Sequence, residues 1–379
     1  MFSWKKPFAV LLILSQFAGF ASAHETPPVD AKAPLVQLAI LLDTSNSMDG
    51  LIEQAKGQLW KIANELAYAK RDGKTPTLQV ALYEYGNDNL RVGENYIRQV
   101  MPFTTNMDQV SAQLFALRTN GGSEYCGAVI RDAVNGLTWD SRPDVYKVVF
   151  IAGNEPFTQG PVAFQESIAQ AAQKGINVNT IFCGNYAEGV QTQWDAGARL
   201  AHGRYFNIDS DQKIVVIPTP YDADILRLGS TLDETFVVYG KDGRAVMQEA
   251  ESANAMASLG SAAGAPLERS VFKASKQYYS RSEDVVSQVS SGRMKAQELK
   301  KNDLPAALQS KSPAELDTYF KEQQAKRDAA QKQIGVLKVK REAFIADARK
   351  NQSTGGALTL DQAVQKAVRE QAGAKGLRF

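Results

Sequence analysis

The sequence predicts an α/β fold, a doubly wound and mostly parallel sheet covered by helices, followed by a mainly α-helical C-terminal region. Three observations predict it. From Leu35 to about Asp209 short apolar runs alternate with amphipathic stretches of helical length, the pattern of strands joined by crossover helices. Runs such as Val148-Val149-Phe150-Ile151 are apolar at every position, as a strand must be when helices cover both faces of its sheet. After Ile208 the strands stop, and a polar, alanine-rich sequence passes through Pro218-Thr219-Pro220 to segments with helix-start signals.

At the N-terminus, Lys5 and Lys6 precede an apolar run from Phe8 to Phe20 that ends in Ala21-Ser22-Ala23, a secretory signal with a small-x-small cleavage site. The run is shorter than the roughly 20 residues needed to cross a bilayer. The mature chain is expected to begin at His24, without a transmembrane anchor, as a soluble periplasmic or secreted protein. Residues 1–23 are then the signal peptide, 35–209 the α/β domain, 210–292 a connecting region of mixed structure, and 293–379 the helical region.

Within the α/β part the expected strands are Val36 to Leu42, Leu78 to Tyr85, Tyr96 to Met101, Lys147 to Ala152, Asn177 to Phe182 and Arg204 to Ile208. Helices are expected at Leu51 to Ala69, Met107 to Leu117, Tyr125 to Leu137, Pro161 to Lys174 and Gly189 to Ala201. Further on, Ser312-Pro313-Ala314-Glu315 combines an N-cap serine, proline at the first helical position and glutamate at the third, which starts a long helix. Ala330, Ile334, Leu337, Arg341, Phe344 and Ala348 then line one narrow face of it. That seam is open to two readings, a coiled coil or a helix packed on its own neighbours. Thr359-Leu360-Asp361-Gln362 repeats the capping logic before a last helix.

Composition excludes several function classes. Forty-three basic against 41 acidic residues, a formal charge of +2, is too balanced for a nucleic-acid or acidic-membrane partner. The sequence holds only two histidines, His24 and His202, and neither a G-x-S-x-G nor an H-E-x-x-H motif, so no enzyme activity is expected. Cys126 and Cys183 are open to two readings, a single disulfide in an oxidising compartment or two small buried thiols.

The residues that carry chemistry are Asp43, Ser45 and Ser47, in a polar loop directly after the first strand and before a helix. The carboxyl ends of parallel strands form the ligand crevice of an open sheet. One carboxylate and two hydroxyls at alternate positions offer hard oxygens, which suit Mg²⁺ first, with Ca²⁺ or Mn²⁺ next, and disfavour thiophilic metals. The alternative is that Asp43 caps the following helix while the serines satisfy backbone donors.

Asp43-x-Ser45-x-Ser47 at the end of an apolar strand resembles the metal-ion-dependent adhesion site of von Willebrand factor A domains, over about Leu35 to Asp209. The resemblance implies a second loop with a threonine after glycines, and Gly121-Gly122-Ser123-Glu124 stands there, with Ser123 supplying the hydroxyl. It also implies an aspartate at the end of a later strand, where this chain has Gly153, so Asn154 or Glu155 is the expected substitute and Gly153→Asp the expected way to strengthen metal binding. Ala152 to Phe157, Thr180 to Gly184 and the capped tail also look like a group of exported bacterial proteins with such a domain. The resemblance continues through Tyr221-Asp222, Tyr239-Gly240, Lys326-Arg327 and Lys340-Arg341. It implies an exported protein-binding module that takes an acidic side chain of a protein partner through the metal. The alternative is a structural envelope protein whose helical tail binds the partner while the A domain is inert.

Overall fold

The computed structural model describes residues 33–209, 217–241, 243–259, 264–280, 283–350 and 360–379. The signal peptide expected at 1–23 and the expected capping residue Thr359 lie outside them. One sheet runs β3-β2-β1-β4-β5-β6: β1 (Leu35–Asp43), β2 (Thr77–Tyr85), β3 (Ile97–Thr104), β4 (Tyr146–Gly153), β5 (Ile176–Cys183) and β6 (Tyr205–Ile208). Every neighbouring pair is parallel except β2 with β3. A short connection can reverse the chain into an antiparallel neighbour, whereas the parallel pairs need a crossover. All nine residues of β1 are buried, as its position between β2 and β4 requires. That position is the topological switch point, where the chain leaves β1 to opposite sides and a crevice opens at the strands' carboxyl ends.

Alternation along β1 splits the interior in two. Val36, Leu38, Ile40 and Leu42 face α1 (Ile52–Ala67) and α2 (Met107–Ala116). Ala39 and Leu41 face α3 (Cys126–Gly136) and α4 (Phe164–Gln173). The single helix expected at Gly189 to Ala201 is two, α5 (Tyr186–Gln191) and α6 (Trp194–Leu200), with Gln193 between them at φ 71°. Trp194 explains the break. Its indole is fully buried beside Phe157 and Phe182, and its Nε1 donates to the Glu155 carbonyl at 2.8 Å. An uninterrupted helix would turn that ring out of the core.

The C-terminal region is α7 (Asp222–Glu234), α8 (Gly243–Leu259), α9 (Ala265–Lys273), α10 (Val285–Ser290), α11 (Ala306–Gln309), α12 (Pro313–Lys350) and α13 (Leu360–Gly373). The capping box at the start of α12 forms as the sequence predicts, with the Ser312 amide donating to Glu315 Oε2 at 2.7 Å and the Glu315 amide to Ser312 Oγ at 3.3 Å. The seam of α12 faces its own chain. Ala330 and Ile334 are buried with α7 and α9, Phe344 sets its edge on Tyr221, and Arg341 reaches Asp222 and Glu268. Residues of α7, α9, α12 and α13 belong to the same apolar cluster as β1 and α1. Among the described residues no helix is long and apolar enough to cross a membrane.

Candidate functional site

β1 delivers Asp43 to the switch point fully buried. Its Oδ1 accepts from the Ser45 amide at 2.8 Å, a two-residue turn that leads the chain into the 3₁₀ turn Asn46–Met48. Its Oδ2 has no hydrogen-bond partner. Burial lifts the carboxyl to about 7, against the hydrogen bonds from Ser45, and the charge of Glu124 adds to the rise. Buried Ser45 lies with its Oγ 2.9 Å from Ser47 Oγ. Exposed Ser47 donates to Asn154 Oδ1 at 2.9 Å, and Asn154 Nδ2 returns a bond to the Ser47 carbonyl at 2.9 Å. Capping therefore describes Asp43 Oδ1 alone, since neither serine hydroxyl caps the turn.

The second loop is pressed onto the ends of β1 and β2. The Asn120 amide donates to the Thr44 carbonyl at 3.0 Å, and Asn87 Nδ2 reaches the carbonyls of Thr44 and Arg118. A Cβ on Gly122 would stand 2.1 Å from the Gly86 carbonyl oxygen, so only glycine permits the approach. In this loop Ser123 is half-buried and makes no hydrogen bond to Asp43, Ser45 or Ser47, whereas Glu124 is buried against Gly86 next to Asp43. Glu124 is the residue that sequence reasoning missed. A Cβ on Gly86 would lie 2.8 Å from Glu124 Cγ and 2.9 Å from Asp43 Oδ1, so the stem of Glu124 and the Asp43 carboxylate both close over that glycine. Burial raises Glu124 as well, then the charge of Glu155, against hydrogen bonds from Ser45 and Gln159. The only sequence signal was its place after the Gly121-Gly122 pair.

The third loop differs from expectation at Gly153. A Cβ there would stand 2.4 Å from Tyr85 Oη and 3.0 Å from Asp43 Oδ2. The tyrosine hydroxyl fills that space and donates to the Ala152 carbonyl at 3.0 Å. The expected remedy Gly153→Asp therefore meets a collision, although the backbone there is not left-handed. Asn154 latches this loop to Ser47, while Glu155 lines a cleft of about 840 Å³ that opens beside Ser47. Asp49, Asn154 and Glu188 also line it.

Cys126 and Cys183 are buried free thiols, so the disulfide reading is not what the structure holds. Cys183 packs with the α1 side of the sheet and Cys126 with the α3 side, where it meets Tyr85 Oη at 3.8 Å, so the sheet lies between them. His202 lies past α6 at φ 55°, its carbonyl accepting from Asn177 near the start of β5, at the other end of the strands from Asp43.

The donors fit a hard cation: a buried carboxylate with an unpartnered oxygen, neighbouring serine hydroxyls and a second carboxylate. Among the described residues no three His, Cys, Asp or Glu side chains converge on one point. A cation here would rest on hydroxyls and water beside the carboxylates.

Residues 37–212 match the family model of the von Willebrand factor type A domain. Among solved structures, the conserved hypothetical protein BatB from Bacteroides thetaiotaomicron is 18% identical, over 46% of this chain and 90% of that one, with a TM-score of 0.34. The VWA domain of SpRpn10 is 12% identical, over 48% of this chain and 91% of that one, with a TM-score of 0.35. Proximal thread matrix protein 1 from the mussel byssus, in a form with a zinc-occupied MIDAS motif, is 12% identical over 48% of this chain and 43% of that one, with a TM-score of 0.34. No curated protein matches the chain. Residues 37–212, whose sheet carries Asp43 at its switch point, are a von Willebrand factor type A domain.

Proposed function

We propose that this chain is an exported protein-binding module that holds a divalent cation, Mg²⁺ before Mn²⁺ or Ca²⁺, at Asp43, Ser45, Ser47 and Ser123, and takes an acidic side chain of a protein partner there. The observation that carries the reading is the unpartnered, fully buried Asp43 Oδ2 at the switch point of the sheet. A buried carboxylate oxygen without a donor is unfavourable by itself and favourable next to a cation. The cation would supply positive charge for a carboxylate to bind. Domains of this type are often protein-interaction modules. The chain's own residues shape the rest. Asn154 holds Ser47 in place, and the cleft beside them admits a side chain. The non-catalytic part of this reading is supported by burial, which pushes both thiols well above their ordinary range, and by the place of His202 at the far end of the strands.

Calorimetric titration of the full chain with MgCl₂ and MnCl₂, repeated on Asp43→Ala, tests the reading. Binding is expected for the wild-type chain at millimolar metal and none for the variant. Identical behaviour of the two would sink it. By linkage, any partner that strengthens metal binding must itself be bound more tightly with metal, by the same factor.

A further inference from the structure

The proposed site is short of negative charge on its β4 side. Gly153 carries no carboxylate, and Tyr85 Oη stands where one would begin. On the β2 side the packing is the reverse. Gly86, at φ +77°, has no Cβ, and the space where one would be is bounded by Glu124 Cγ at 2.8 Å and Asp43 Oδ1 at 2.9 Å. Gly122, at φ +126°, lets the second loop lie against the Gly86 carbonyl, which brings Glu124 down. The Ser45 amide donates to Asp43 Oδ1 at 2.8 Å, while Asp43 Oδ2 has no hydrogen-bond partner. Asp43 is fully buried and Glu124 only 5% exposed, and among the described residues no Lys, Arg or His forms an ion pair with either. Two buried acids side by side without a basic partner need a cation or a proton between them.

We infer that Glu124 is the second anionic ligand of the cation site, replacing from the β2 side the aspartate that Gly153 lacks on the β4 side. This rests on the reading of Asp43, Ser45 and Ser47 as a hard-cation site. With one anion a divalent ion keeps an uncompensated charge, and with two it is neutralised. Affinity rises with the number of charged ligands, so the second carboxylate sets the strength of the site. The glycines at 86 and 122 are then required by the site, because a side chain at either would push Glu124 away.

The experiment is a calorimetric titration with MgCl₂ and MnCl₂ of the full chain and its variants Asp43→Asn, Glu124→Gln and Glu124→Asp, with near-ultraviolet circular dichroism to check packing. Glu124→Gln keeps the shape and loses the charge, whereas Glu124→Asp keeps the charge and shortens the arm. The expected result is loss of binding in Asp43→Asn, a fall of about tenfold or more in Glu124→Gln, and partial retention in Glu124→Asp. If Asp43→Asn loses metal while Glu124→Gln binds like the wild type, the inference fails and the parent reading stands. A role in packing alone would preserve binding in Glu124→Gln and impair it in Glu124→Asp, which also overturns the inference. A wild-type chain that binds neither ion overturns both.

Discussion

The behaviour of the site comes down to two side chains. Asp43 is held at about 7 by burial, whereas an unfolded aspartate titrates near about 3.9. Between these values the folded chain keeps a proton that the unfolded chain has released. Metal-free stability should therefore fall as pH rises from about 4 to about 7, and level off above that. Thermal midpoints measured in chelator across this range should show the fall, and Asp43→Asn should make it shallower, leaving the part that Glu124 contributes. A cation competes with the same proton, so metal affinity should rise with pH up to about 7 and then flatten. A binding series that is flat throughout would contradict this. At Gly153 the prediction reverses the one made from sequence. Gly153→Asp should destabilise the chain by about 1–3 kcal/mol, because its Cβ meets Tyr85 Oη at 2.4 Å. Adding Tyr85→Phe removes the obstructing oxygen, so the double variant should be more stable in urea than Gly153→Asp alone, with a measurable coupling energy. Additive effects would mean that the two positions do not contest one space.

Among the elements, α12 ties the C-terminal region together with two arginines of unequal worth. Arg327 is buried with Asp284, donates to the Thr235 carbonyl at 2.6 Å, and lies 3.8 Å over the ring of Tyr279. Removing it strands a buried carboxylate, so Arg327→Ala should cost about 3–5 kcal/mol in chemical denaturation. Arg341 sits nearer solvent, and its carboxylate Asp222 is about a quarter exposed. Arg341→Ala should cost less, about 0.2–1 kcal/mol, with the loss shrinking at high salt. Equal losses for the two would refute this ranking. The same contacts explain why the heptad-like seam is intramolecular. Its charged position is answered by Asp222 and Glu268 of the chain itself, and Ala330 and Ile334 are buried with α7 and α9.

The whole molecule shares one of its cores between the A domain and the helices that come after it. Trp60 of α1 packs at 5.6 Å on Phe272 of α9, and buried Asp108 of α2 accepts from Arg269 and Tyr278. At the strands' opposite end Tyr146 donates to Gln371 of α13 at 2.8 Å, and Lys70 pairs with Arg378. A fragment ending at Asp209 would leave Trp60 and the apolar side of α1 without cover. It should bind a hydrophobic dye and show red-shifted tryptophan emission, whereas the full chain should unfold in one transition. A fragment as compact as the full chain would mean that the tail is a separable unit.

Much of this was legible in the sequence because it is written in short-range pattern. Uninterrupted apolar runs gave the strands of a sheet covered on both faces, the Ser312 to Glu315 spacing gave the start of α12, and the polar loop after β1 gave Asp43, Ser45 and Ser47. Tertiary structure alone decided the rest. The break at Gln193 comes from a tryptophan seeking the core, and the unbridged cysteines come from the two sides of the sheet on which they fall. The place of the missing aspartate is taken by Tyr85, sixty-eight residues earlier in the chain, and a second carboxylate enters over Gly86 from a loop whose direction no local signal records. The physical reason is that hydrogen-bond periodicity acts over a few residues, whereas a site at a switch point is assembled from strand ends far apart in sequence.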